Sequence, residues 1–174
     1  MEKGILDPRL HRVSSTAIIH KNGKYLIVKR SPKVKAFPVQ WTVPGGGLEV
    51  EDYINTPKTT SDSWYFGVIN SLKREIREEV NLEIKDLRYL VDIIFIRPDK
   101  IPVIVLSYFC QWKSSKVKLS DEHTDYAWVD CKEAKKYNLI SGILEEIELA
   151  DKILKGEKID ENNMIEKFKK RYGV

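Results

Sequence analysis

An amphipathic helix is predicted over about residues 65–80, from Tyr65 to Val80. Its apolar residues recur at steps of three and four, which is the spacing of one buried helical face. They are Ile69, Leu72, Ile76 and Val80. A helix with one apolar face packs against other elements, which the rest of the chain must supply.

Runs rich in β-forming residues lie on both sides of this helix. Val13–His20 and Lys24–Arg30 flank Lys21-Asn22-Gly23, and Asn-Gly supplies the positive φ angles of a tight hairpin. Further strands are predicted over Trp41–Val43, Leu87–Arg97, Pro102–Trp112 and Asp125–Asp130, and closing helices near Lys132–Tyr137, Ser141–Lys155 and Glu161–Arg171. This order favours an α/β or α+β domain with a β-sheet sandwiched between α-helices.

Length and charge indicate one ordinary globular domain, which we predict to span residues 1–174. The 30 basic and 26 acidic residues leave a net charge of only +4, without the concentrated basic stripe that nucleic acid requires. Two cysteines in no metal-binding spacing indicate a reduced, cytoplasmic setting. Met1–Leu10 lacks the apolar core of a signal peptide, and no apolar run approaches the roughly 18 residues of a membrane span.

Three glutamates of the predicted helix, Glu75, Glu78 and Glu79, fall within one arc of about 100°. Like charges at spacings of three and four destabilise a helix by a few tenths of a kcal/mol. A divalent cation reverses this effect, because carboxylate oxygens are the ligands that Mg²⁺ or Mn²⁺ takes. The alternative is a solvated outer face, since glutamate is a common helix former. Glu79 borders the apolar face and is expected to be partly buried.

Upstream lies a glycine turn, residues 45–47, which follows Trp41-Thr-Val-Pro44. Three successive glycines let the backbone approach a ligand closely and expose its amides and carbonyls. Taken alone, the same residues are equally well explained as a tight turn.

Together, the glycine turn and the glutamate helix resemble the Nudix hydrolase signature. That motif has a glycine, five residues, a glutamate, seven residues, and then Arg-Glu-U-x-Glu-Glu-x-Gly-U, where U is bulky and apolar. Gly46 and Asp52 match the first part. The second part is matched by Arg74, Glu75, Ile76, Glu78, Glu79 and Leu82. Arg30 at a strand end and Asp121-Glu122-His123 before Tyr126-Ala-Trp128 extend the resemblance over roughly residues 13 to 130.

The chain departs from the motif at three points. Asp52 replaces a glutamate, and Asn81 replaces the final glycine, although asparagine also tolerates the left-handed conformation that ends a helix. Twenty-one residues separate Asp52 from Arg74, where the motif has seven. We call the stretch of about residues 53–66 the insertion. Its aromatic residues near Trp64 either help to select the nucleobase or the leaving group, or form a hydrophobic plug that packs the start of the helix onto the core.

The resemblance implies a mixed β-sheet between helices and a metal-dependent pyrophosphohydrolase. The substrate would be a nucleoside triphosphate or another nucleoside-diphosphate-linked compound, and Pro98 lies near a proline of ADP-ribose members. Glu75, Glu78 and Glu79 would bind Mg²⁺ or Mn²⁺ with a backbone carbonyl at Gly45 or Gly46, and the metal would acidify the attacking water. The expected roles of the other site residues are orientation of the carboxylates by Arg74, proton abstraction by Glu75 or Glu122, and substrate contact by Arg30, Gly46 and Trp64.

Three questions stay open at this level. His123 has a suitable pKa for a base, but it is interpreted as an exposed loop histidine without that role. A catalytically silent nucleotide- or RNA-binding module and an RNA cap hydrolase are the alternative functions, the latter with the basic tail Lys167–Arg171 on phosphates. The expected partner is a small nucleotide rather than nucleic acid or a membrane, and a homodimer is left open.

Overall fold

The computed structural model describes residues 9–97 and 99–174. Two predictions concern residues outside the described ranges. One is the absence of a signal peptide in Met1–Leu10, most of which is not described, and the other is the position of Pro98. In the described part of the chain no helix is both long and apolar enough to cross a bilayer.

Seven strands of the described chain form one mixed sheet. They are β1 (Arg12–Lys21), β2 (Lys24–Arg30), β3 (Trp41–Thr42), β4 (Gly45–Gly47), β5 (Glu83–Ile96), β6 (Pro102–Ser114) and β7 (His123–Val129). The order is β3-β2-β1-β6-β5, while β4 pairs with β1 and β7 pairs with β2. Strands β1 and β6 run parallel, and the other pairs are antiparallel.

The described chain has four α-helices: α1 (Gly67–Val80), α2 (Cys131–Ala134), α3 (Ile143–Leu154) and α4 (Glu161–Tyr172). Alternate side chains of a strand point to opposite faces, and the core divides accordingly. Ile18 and Ile27 pack with Ile147 of α3, whereas Ala17 packs with Leu72 of α1 on the other face. The sheet is therefore sandwiched between helices, which confirms the predicted fold class.

Several element boundaries differ from the prediction. Helix α1 begins at Gly67 rather than Tyr65, because Phe66 adopts a left-handed conformation with φ of 62°. The helix ends as predicted at Asn81, which has φ of 58°. Strand β5 begins at Glu83 rather than Leu87, because its first residues pair with the end of β6.

Helix α4 is held by polar contacts, and none of its residues is buried. Arg171 forms an ion pair with Glu145 and a second one, 2.9 Å long, with Glu148. The Tyr172 hydroxyl donates to Glu145 over 2.9 Å, and Lys167 lies 3.5 Å from Glu148. Residues of the basic tail therefore face acidic partners within the same chain.

The buried carboxyl of Glu146 provides a test of the α3 face of the core. Its side chain shares a hydrogen bond with Ser107, and burial raises its pKa to about 7. Because a raised carboxyl pKa favours folding only while the group is protonated, its contribution falls as the pH rises from about 4.5 to 7. We expect Glu146→Gln to raise the free energy of unfolding at pH 8 by about 3 kcal/mol and to have little effect at pH 4. Denaturant titrations at the two pH values measure this, and equal effects at both would contradict it.

Candidate active site

The glycine turn forms strand β4, which lies beside β1 next to the last turns of helix α1. Gly45 pairs with Thr16 and Gly46 with Ser15. A Cβ atom on Gly45 would lie 2.2 Å from the Ser15 carbonyl oxygen, and one on Gly46 would lie 2.3 Å from the Glu75 carboxylate. The absence of side chains at Gly45 and Gly46 therefore allows the backbone of β4 to fit between β1 and the Glu75 side chain of α1.

Glu79 is the most deeply buried of the three helix glutamates, at 5% exposure. Its Oε2 atom accepts a hydrogen bond of 2.9 Å from the Gly45 amide. Burial, together with the charges of Glu75 and Glu122, raises its pKa to about 8, against the opposing effects of the Gly45 amide and Arg30. The expected burial of Glu79 is thus observed, and four site residues lie close enough to affect its charge.

Arg74 connects the helix glutamates to the acid at position 52. Its Nε lies 2.5 Å from Asp52, and its terminal nitrogens lie 3.0 Å from Glu75 and 2.9 Å from Glu78. Hydrogen bonding to Arg74 lowers the pKa of Asp52 to about 2. Helical angles alone put Arg74 on the side away from the glutamates, but its long side chain reaches Asp52, Glu75 and Glu78.

An open cavity of about 660 Å³ lies in front of β4 and α1. It brings together the predicted residues Arg30, Gly45, Gly46, Glu75, Glu79 and Glu122. The cavity is also lined by Arg12, Lys35, Phe37, Phe95 and Arg97, which sequence reasoning missed. Arg12 belongs to β1, and only the pairing of β1 with the glycine strand brings it to the site.

Three predicted site residues do not line this cavity, namely Arg74, described above, Glu78 and Trp64. Glu78 is 58% exposed at its side chain and contacts Arg74. Trp64 packs inside the insertion, where its ring lies 5.3 Å from that of Tyr53 and its Nε1 donates to the Thr56 carbonyl over 3.0 Å. Tyr65 and Phe66 are exposed. Substrate contact by Trp64 stays a prediction.

His123 was predicted to be an exposed loop residue, and this is wrong. It is the first residue of β7, and its side chain is 1% exposed. Its Nε2 lies 4.0 Å from Oε1 of Glu79. Burial, with a smaller effect of Arg30, lowers its pKa to about 4. The misassignment arose because its polar neighbours indicate a loop, whereas pairing with Arg30 of β2 draws the residue into the sheet.

The donor set fits a hard divalent cation, although no three acidic, histidine or cysteine side chains of the described chain already form a metal cluster. Glu75 and Glu78 each accept a hydrogen bond from Arg74 at one oxygen, and Glu79 accepts one from Gly45. The second oxygen of each carboxylate has no such donor among the described residues. Burial also raises the pKa of Glu75, as it does that of Glu79, so a cation would relieve an unfavourable arrangement of carboxylates.

Known proteins with this fold and motif match the chain. A NUDIX domain family matches residues 67–147. The nucleoside triphosphatase NudI of Escherichia coli K12 is 30% identical over 132 residues, which cover 70% of this chain and 84% of NudI. A MutT NUDIX hydrolase from Burkholderia pseudomallei superposes with a TM-score of 0.64 at 20% identity, covering 80% of this chain and 98% of that one. A MutT protein from Methanosarcina mazei superposes with a TM-score of 0.62 at 22% identity, covering 83% of this chain and 96% of that one.

The structural likeness concerns the fold, whereas the similarity to NudI over most of its length concerns the family. The family match includes helix α1, which carries the three glutamates. The chain belongs to the Nudix family of hydrolases, enzymes that cleave phosphoanhydride bonds with a divalent metal ion.

Proposed function

We propose that this Nudix hydrolase, acting as a single domain over residues 1–174, hydrolyses nucleoside triphosphates with Mg²⁺ or Mn²⁺. The observation that carries this is one cavity lined both by carboxylates and by cationic side chains. Glu75, Glu79 and Glu122 line it together with Arg12, Arg30, Lys35 and Arg97. Carboxylates suit the metal, and guanidinium groups suit phosphate oxygens. The name of NudI, a nucleoside triphosphatase, supports this substrate class.

Glu75, Glu78 and Glu79 would hold the metal, with the Gly45 or Gly46 carbonyl as a further oxygen ligand. When bound, such a cation offsets charge on phosphate oxygens and lowers the pKa of water. Arg74 is a positioning residue in this proposal, because it fixes one oxygen of Glu75 and one of Glu78. Gly46 leaves room for Glu75, and its backbone faces the same cavity.

Glu122 is the general base in this proposal, in preference to Glu75. The Glu122 carboxylate is exposed at the cavity and has no ion pair among residues 9–97 and 99–174. The Glu75 carboxylate is already engaged, because Arg74 donates a hydrogen bond to its Oε1 and its other oxygen is assigned to the metal in this proposal. Arg30 donates from Nε to the Ala36 carbonyl over 2.8 Å, so its terminal nitrogens are left for a phosphate group.

An RNA cap hydrolase is the weaker candidate. Its supporting feature was the basic tail, but Lys167 and Arg171 lie against acidic residues of α3, and Lys169 lies 3.0 Å from Glu166. Surface ion pairs of this kind contribute little energy, yet they show that the basic residues have partners within the fold.

A hydrolysis screen tests the proposed function directly. Nucleoside triphosphates, nucleotide sugars, ADP-ribose, dinucleoside polyphosphates, NADH and capped RNA are compared with Mg²⁺, with Mn²⁺ and with excess chelator. We expect a triphosphate to have the highest kcat/KM and the chelator to abolish turnover. Full activity in chelator would overturn the metal site, and a strong preference for another substrate class would overturn the assignment to triphosphates.

The insertion is proposed to influence substrate selection, because it connects Asp52 to Gly67, the first residue of the helix that carries the glutamates. Deleting residues 55–62 is expected to change the relative rates among nucleotides more than it changes the Mg²⁺ dependence of turnover. Trp64→Ala serves as the comparison, because its contacts with Tyr53 and Thr56 lie within the insertion. If the deletion leaves nucleotide preference unchanged and Trp64→Ala lowers only the melting temperature, the aromatic residues form a structural plug.

A further inference from the structure

The buried imidazole of His123 lacks hydrogen-bond partners. Neither of its nitrogens is bonded to any described residue, and both are inaccessible to solvent. Leaving a buried polar group unpaired costs about 1–3 kcal/mol, so native structures rarely keep one without a use. The nearby acid is Glu79, whose Oε1 lies 4.0 Å from Nε2 of the histidine.

The backbone around His123 is fastened to the end of the glutamate helix. The Ser120 amide donates to the Glu79 carbonyl over 3.0 Å, and the Lys118 amide donates to the Val80 carbonyl over 3.1 Å. His123 itself donates its amide to Ser120 over 3.2 Å. The ring is therefore held in a fixed place beside Glu79 by strand pairing on one side and by this loop on the other.

The two oxygens of Glu79 have different surroundings. Oε2 accepts from the Gly45 amide, whereas Oε1 faces the imidazole across a gap about 1 Å too long for a hydrogen bond. Closing that gap requires the two atoms to approach by about 1 Å. A carboxylate oxygen offers two lone pairs, so Oε1 can accept from an N–H and still contact a cation.

We propose that His123 is a positioning residue, which donates its Nε2–H to Oε1 of Glu79 when that carboxylate holds the divalent cation. The proposal rests on the proposed function, because it takes Glu79 as a metal ligand. The Gly45 amide and the imidazole would then each fix one oxygen of the same carboxylate. Partners of this kind orient a ligand, and losing one typically lowers metal affinity by about 10- to 100-fold.

Three variants of the full chain test this, with Mn²⁺ alone as the probe. His123→Gln keeps an N–H donor near the position of Nε2, His123→Asn places one near Nδ1, and His123→Leu keeps volume without a donor. Mn²⁺ dissociation constants come from electron paramagnetic resonance, and melting temperatures are measured without metal.

We expect His123→Leu to bind Mn²⁺ at least tenfold more weakly, while its metal-free melting temperature stays equal or rises. His123→Gln should recover most of the affinity, and His123→Asn should not. The proposal is overturned if the leucine variant binds Mn²⁺ like the wild type, or if glutamine loses as much affinity as asparagine. Should the leucine variant fail to fold, the glutamine and asparagine pair alone decides. A wild type that neither binds Mn²⁺ nor hydrolyses nucleotides would instead refute the proposed function.

Discussion

Glutamine in place of Glu79 is expected to lower kcat by about a thousandfold while the protein stays folded. The substitution keeps the volume of the side chain and an oxygen that can accept from the Gly45 amide. It removes the charge that a divalent cation requires. Steady-state kinetics at saturating Mg²⁺, together with Mn²⁺ binding, measures the effect.

The same variant should be more stable than the wild type when both are free of metal. Burial raises the pKa of Glu79 to about 8, so the unfolded chain ionises this carboxyl before the folded protein does, and the folded protein loses stability as the pH rises from about 4.5 to 8. Glu79→Gln removes this loss, and its melting temperature at pH 8.5 should exceed that of the wild type. At pH 4, where the carboxyl is protonated in both states, the two should be nearly equal.

Glu146→Gln is the matched control, since Glu146 is also a buried glutamate with a raised pKa, but belongs to α3 and does not line the active-site cavity. It should shift stability with pH in the same direction and leave kcat unchanged. Near wild-type turnover in Glu79→Gln would mean that catalysis does not depend on this carboxylate.

Alanine at Gly45 is expected to have the largest effect on stability, with a loss of about 3 kcal/mol or more. The added Cβ would lie 2.2 Å from the Ser15 carbonyl oxygen and 2.7 Å from Cα of Thr16. These are backbone atoms of the central strand, which cannot move without disturbing β1. Urea denaturation measures the loss.

Alanine at Gly46 should act differently, because its Cβ meets the end of the Glu75 side chain. That carboxylate can swing away, so we expect a smaller loss of stability with a large loss of kcat. Gly67→Ala is the control, since its Cβ would have no atom within 4 Å and no positive φ is required there. Equal effects of all three substitutions would show that the β4 geometry does not matter.

Local patterns predicted most of the helices and strands, and the steps of three and four predicted the buried face of α1. Glu75 and Glu79 were identified as candidate site residues by the resemblance to the Nudix motif, and their catalytic role stays a prediction. The buried face depends on residues that are neighbours in sequence, so periodicity suffices to find it.

Features that depend on pairing between distant segments were either not predicted or predicted wrongly. Gly45 to Gly47 form a strand because β1 lies beside them, and Arg12 reaches the cavity by the same pairing. His123 was expected to be exposed, yet β2 buries it. A polar residue is predicted to be exposed to solvent unless its partner strand is known, and the local sequence does not identify that partner.

The parallel pairing of β1 with β6 also has a consequence for folding. Arg12 lies beside Val103, which comes 91 positions later in the chain. During synthesis β2 and β4 become available early and cover one edge of β1, while its other edge stays open until β6 emerges. Pairings of such long sequence separation form slowly, because the loop must close before its contacts can stabilise it. A nascent chain stalled before Pro102 would therefore expose a central strand with one unpaired edge, and we expect it to associate with other chains.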